Sequence, residues 1–152
     1  MSPKLIPMKY LVILLSAMIV SSFSSLVPKE DKIVGKWLTE KETSHVKLFK
    51  ATNGKYYGKI VWLRDEPDKL DKNNPDESKR NVRLDGLMIL MGFEYNEKKD
   101  QWEGGTIYDP DNGKTYDCYM WFEDDPDVLI IKGYVMGMKF IGRQTHWKLV
   151  KE

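Results

Sequence analysis

Gln101-Trp-Glu-Gly-Gly-Thr-Ile-Tyr-Asp-Pro-Asp-Asn-Gly-Lys-Thr-Tyr-Asp-Cys-Tyr-Met-Trp-Phe122 sets two runs rich in aromatic and β-branched residues on either side of Asp109-Pro-Asp-Asn-Gly113. Asx, Pro and Gly chemistry turns the chain, and the flanking runs suit a pleated surface, so the stretch reads as strand, turn, antiparallel strand. Working outward, the same grammar recurs. Strands are expected near Val34–Thr39, Val46–Ala51, Lys55–Leu63, Leu87–Tyr95, Gln101–Tyr108, Lys114–Phe122, Val128–Tyr134 and Gln144–Lys151. Asn53-Gly54 supplies a tight hairpin between the second and third, and Glu123–Asp127 turns a later pair. No window sustains a helical apolar period for three turns, so the chain is expected to be all-β. About eight antiparallel strands in sequence most readily remove their exposed edges by closing into an up-and-down barrel, with a β-sandwich as the competing architecture.

The 152 residues carry 24 Lys+Arg against 23 Asp+Glu, a formal charge of +1, so no basic face marks a nucleic-acid partner. One cysteine and two distant histidines exclude a disulfide framework and leave no metal site legible. Residues 1–24 differ from the rest. Lys4 and Lys9 precede the apolar run Tyr10–Val20, and Ser22-Phe23-Ser24 offers small residues for a peptidase, which together read as a secretory signal peptide cleaved after Ser24. The run is too short for a bilayer span. Residues 25–152 are then a single β-barrel domain with 22 basic and 23 acidic residues, periplasmic or secreted, with no stable membrane span.

Alternation places Tyr56, Ile60 and Trp62 on one face of the third strand and Tyr116, Met120 and Phe122 on one face of the sixth, the expected lining of an apolar lumen. Tyr108, Asp109 and Lys114 gather at a hairpin rim, where they either meet a polar head group or simply build the turn, the turn reading being favoured. Asp65–Asp85 is longer than most connections in compact domains. Asp71, Asn74, Asp76 and Arg80 within it pose the same choice: they either meet a polar ligand group or order the loop without one, through Asx-Pro turns and an Arg–carboxylate pair. No nucleophile elbow, phosphate loop or dinucleotide fingerprint is present, and the acidic turns lack the spacing of a calcium loop. His45 and His146 read as solvent-facing strand positions and Cys118 as a buried small hydrophobe.

Ile33-Val-Gly-Lys-Trp37, Gly58-Lys-Ile-Val-Trp-Leu63, Asp71-Lys-Asn-Asn-Pro-Asp76 with Arg80, Trp102–Tyr116 and Gly142-Arg143 together resemble the family called domain of unknown function 2147. The resemblance implies an exported bacterial protein with a lipocalin-like barrel and no established activity. It also implies structural roles for Gly35, Trp37 and Arg143: a Gly-x-Trp opens the first strand, and an Arg near the last strand lies across the indole to close the narrow end. Glu123–Asp127 and Tyr134-Val-Met-Gly-Met-Lys139 depart from the family pattern, at barrel ends where ligand preference is set.

The leading expectation is a non-enzymatic exported barrel binding a small, largely apolar molecule, without a cofactor. The rivals are an envelope protein-interaction or structural module with a filled core, using the Asp65–Asp85 loop as its contact surface, and last a hydrolase or isomerase built on Asp109 or His146.

Overall fold

The computed structural model describes residues 27–151, so the expected signal peptide lies outside the described residues. Eight antiparallel strands run in sequence order around a closed barrel: β1 (Gly35–Leu38), β2 (Ser44–Lys50), β3 (Tyr56–Leu63), β4 (Met88–Asn96), β5 (Gln101–Asp109), β6 (Lys114–Phe122), β7 (Val128–Tyr134) and β8 (Gly142–Leu149). The sandwich alternative is excluded by closure, since β1 pairs with β8 through Trp37↔Leu149 and Leu38↔Lys148. That seam is short because β1 is only four residues long. Turn chemistry behaves as the residues dictate. Gly54 adopts φ +78 in the β2–β3 turn, and a Cβ on Gly113 would collide with the Asn73 carbonyl.

Consecutive connections alternate between the two ends. The β2–β3, β4–β5 and β6–β7 turns lie at one end, which the N-terminal segment plugs. A short 3-10 turn at Lys29–Asp31 brings its backbone beneath the barrel, where three amphipathic aromatics hold it. Trp37 Nε1 donates to the Ile33 carbonyl at 2.9 Å, Trp102 Nε1 to the Glu30 carbonyl at 2.8 Å, and the Tyr56 hydroxyl to Asp31 Oδ1 at 2.7 Å. Each aromatic thus buries its ring and still satisfies its polar tip. The Tyr56 hydrogen bond, reinforced by Lys50, pulls the Asp31 carboxyl below its ordinary pKa. Above the plug, Phe122 sits between Trp37 at 5.8 Å and Trp102 at 5.7 Å, with Phe93, Leu48 and Met120 completing a solid aromatic half.

Two expectations are corrected here. Trp62 does not face the lumen. Val46 pairs with Ile60 and His45 with Trp62, so Val61 is an extra residue in β3, and a bulge reverses the side-chain parity beyond it. Trp62 is consequently 40% exposed on the outer wall, its ring 4.4 Å from His45, while Leu63 turns inward. His45 is therefore half-buried under the indole, and that burial, followed by Lys36, lowers its pKa. Nor does Arg143 stack on Trp37. Arg143 pairs with Gly133 at the start of β8, whereas Trp37 meets Leu149 at its end. At about 3.3 Å per residue the two stand about 20 Å apart along the strand, and Arg143 is exposed.

The long segment between β3 and β4 is folded onto the barrel. It contains a second 3-10 turn, Glu77–Lys79, whose N-cap Asp76 accepts from the Ser78 amide, and an isolated bridge Leu70↔Arg83. Arg80 Nε donates to the Asn74 carbonyl at 2.9 Å and its guanidinium meets Glu77 at 3.1 Å, so Arg80 is spent on the loop's own order, with Glu77 as its carboxylate.

Candidate ligand-binding site

The end opposite the plug is open, and its connections are β1–β2, the long β3–β4 segment, the Asp109–Gly113 turn and the β7–β8 hairpin. Between them lies a cavity of about 680 Å³, within the range of small-molecule sites. Its floor and walls are aliphatic: Ile60, Leu63, Leu84, Ile89, Ile107 and Ile131, with Trp147 and Tyr116 as aromatic panels. Polar groups form the rim. Lys41 and Lys69 both reach Asp111, at 3.1 and 3.7 Å, and Arg64 lies 3.5 Å from Glu42, so much of the rim charge is internally matched.

The expected lining divides between the two halves of the barrel. Ile60 and Tyr116 line the cavity; Tyr56, Met120 and Phe122 belong to the solid aromatic half; Trp62 is outside. At the rim, Tyr108 and Asp109 line the mouth and Lys114 does not. Asp109 is committed to its turn, accepting from the Asp111 amide at 2.9 Å and from Asn112 Nδ2 at 2.9 Å. Arg143 lines the mouth, a position the Trp37 stacking would have denied it.

Sequence reasoning missed Leu63, Leu84, Ile89, Ile107, Ile131 and Trp147. Leu63 was hidden by the bulge, and Leu84 lies in a segment too polar to suggest a wall residue. Ile131 carried a readable signal, since β7 is apolar on consecutive positions and Leu129, Ile130 and Ile131 are all buried.

Asp71 is the one described residue with a charged side chain that is buried, at 1% exposure. The Tyr108 hydroxyl donates to its Oδ1 at 2.7 Å and Asn74 Nδ2 to its Oδ2 at 2.7 Å. Burial first, and then this carboxylate, push the Tyr108 pKa up to about 12. With Asn73 Nδ2 donating to the carbonyls of Pro110 and Asp111, these bonds dock the long segment against the β5–β6 hairpin and so shape one side of the mouth. Among the described residues, no group of three His, Cys, Asp or Glu is placed to hold a metal ion. His146 Nδ1 lies 3.2 Å from Glu40 and its Nε2 3.4 Å from Gln144. Cys118 is buried in the wall and its thiol pKa is raised by that burial.

The family described as "Uncharacterized protein conserved in bacteria (DUF2147)" matches residues 35–149. The chain belongs to this family. No curated protein matches it. A solved structure, protein HP1028 from the human pathogen Helicobacter pylori and described as belonging to the lipocalin family, superposes with a TM-score of 0.69 at 25% identity, over 79% of this chain and 84% of that one. This DUF2147 member thus has a lipocalin-like fold, with a plugged end and an open one.

Proposed function

We propose that this DUF2147 protein is an exported, non-catalytic carrier that binds one small, largely apolar molecule in the open half of its barrel. The carrying observation is the division of the lumen: aromatics fill the plugged half, while a cavity of about 680 Å³ with aliphatic walls and a polar rim occupies the other. Such a site would hold an apolar body inside and leave a polar end at the mouth. Export rests on the apolar run Tyr10–Val20 and the small residues to Ser24, and sequencing the N-terminus of envelope material checks it; an intact Met1 would defeat it.

Binding is tested by titrating the folded protein with phenylnaphthylamine and following probe emission. A saturable signal is expected. Ile107→Trp, which adds an indole to the cavity wall, should weaken it by about tenfold or more while leaving the denaturation midpoint near that of the parent. Absence of a saturable signal from folded parent, or an unaltered affinity in Ile107→Trp, rejects a lumen site.

A further inference from the structure

The β7–β8 hairpin tip is unlike the other connections at the open end. Met136 is 88% and Phe140 81% exposed, with Ile141 at 48% and Val135 at 39%. Met136 also holds φ 52, a left-handed position followed by Gly137 at φ 70, where turn chemistry ordinarily places Asn, Asp or Gly. A large apolar side chain at such a position, packed on nothing, has no account in folding. Charge narrows what it meets. From Val135 to Arg143 the tip has Lys139 and Arg143 and no acidic residue, whereas Lys148 and Lys151 lie at the far end of the strand and pair with Glu42 and Asp127. Lys139 folds back to Glu103 at 3.6 Å and over the Tyr119 ring at 5.0 Å, which leaves Met136 and Phe140 leading. Arg143, exposed at the hairpin base, forms no ion pair with any described residue.

We propose that this tip seats on an anionic lipid surface, with Met136 and Phe140 entering the interface and Arg143 meeting lipid phosphate. Exposed apolar side chains beside an unpaired guanidinium, in a segment without acidic residues of its own, are the composition that such surfaces retain. A protein partner is disfavoured by the tip's lack of acidic or other acceptor side chains, with which protein interfaces usually complete a polar rim. The placement has a consequence for the cavity, because Val135, Ile141 and Arg143 also line its mouth. An apolar strip therefore runs from tip to lumen, and a ligand can pass between bilayer and barrel without crossing water. That route rests on the carrier reading above; the lipid contact does not.

The test is co-sedimentation of the protein without residues 1–24, which retains the plug and all eight strands, with vesicles of phosphatidylcholine alone or mixed equally with phosphatidylglycerol. Parent should bind, more strongly to the mixed vesicles. Met136→Ser with Phe140→Ser should weaken partitioning by about tenfold or more on both, and Arg143→Gln by about fivefold on the anionic ones only. The double variant should keep the parent's thermal midpoint and its phenylnaphthylamine affinity, since neither residue lines the cavity. Parent that fails to bind either vesicle, or a double variant that binds like parent, overturns the proposal. So does concentration-dependent self-association that the double variant abolishes, which would make the tip an interface between copies. Failure of probe binding with vesicle binding intact would instead remove only the carrier reading.

Discussion

Tyr108→Phe removes a single hydroxyl, and the structure indicates what that atom supports. Asp71 is 1% exposed and its two carboxylate oxygens are each met by one side-chain donor, Tyr108 at 2.7 Å and Asn74 at 2.7 Å. Deleting the hydroxyl leaves one oxygen of the buried carboxylate without its side-chain donor. Hydrogen bonds to charged groups contribute ~1.5–3 kcal/mol, and that range is the expected loss. For a domain of this size it lowers the thermal midpoint by about 5–10 °C. The same bond has a pH signature. Because the native Tyr108 pKa is raised to about 12 from the ordinary 10.0, the folded state holds the phenol proton more tightly than the unfolded chain does. Stability from this group is whole below pH 10 and is lost as pH rises toward 12. Tyr56, also raised to about 12, chiefly by burial and then by Asp31, remains in the variant, so the alkaline decline should become shallower without vanishing. Denaturant unfolding of parent, Tyr108→Phe, Asp71→Asn and the double variant across this window measures both effects, and the cycle isolates the pair. An unchanged midpoint together with an unchanged alkaline limb would refute the reasoning.

Two further outcomes follow from corrected or newly seen contacts. Glu103 accepts from Asn96 and Lys99, which hold its carboxyl at about 2, below the ordinary 4.5; its stabilisation is whole above pH 4.5 and lost as pH falls toward 2, so Glu103→Gln should cost ~1 kcal/mol at neutral pH and flatten that acid limb in urea melts. Trp62→Ala should leave phenylnaphthylamine affinity unchanged while uncovering His45, whose pKa, lowered by burial, should rise toward its ordinary value in a proton NMR titration. Weakened probe binding in that variant would return the indole to the lumen.

What the residues alone determined is what local physics controls. Asn53-Gly54 and Asp109–Gly113 impose their turns through backbone preferences within a few residues, and period-two runs such as Lys114–Phe122 become strands with the expected bounds. Eight such strands in series leave two edges, and closure through β1 and β8 is the way the chain removes them. The polar order of Asn74, Asp76 and Arg80 was legible for the same reason, since its partners lie a few residues away. Only the tertiary structure decided which side chains meet across the barrel. One unpaired residue, Val61, reverses the face of everything beyond it in β3, and whether a strand bulges depends on its neighbour's register, not on its own alternation. Trp37 finds Ile33 and Leu149 instead of Arg143 because the plug and strand stagger set its depth, and neither is written in spacing. The half-filled lumen is likewise a sum over all eight strands: aromatic volume from β1, β3, β4, β5 and β6 converges on the plugged end, and the aliphatic remainder, joined by Leu84 from a polar loop, leaves the space above it.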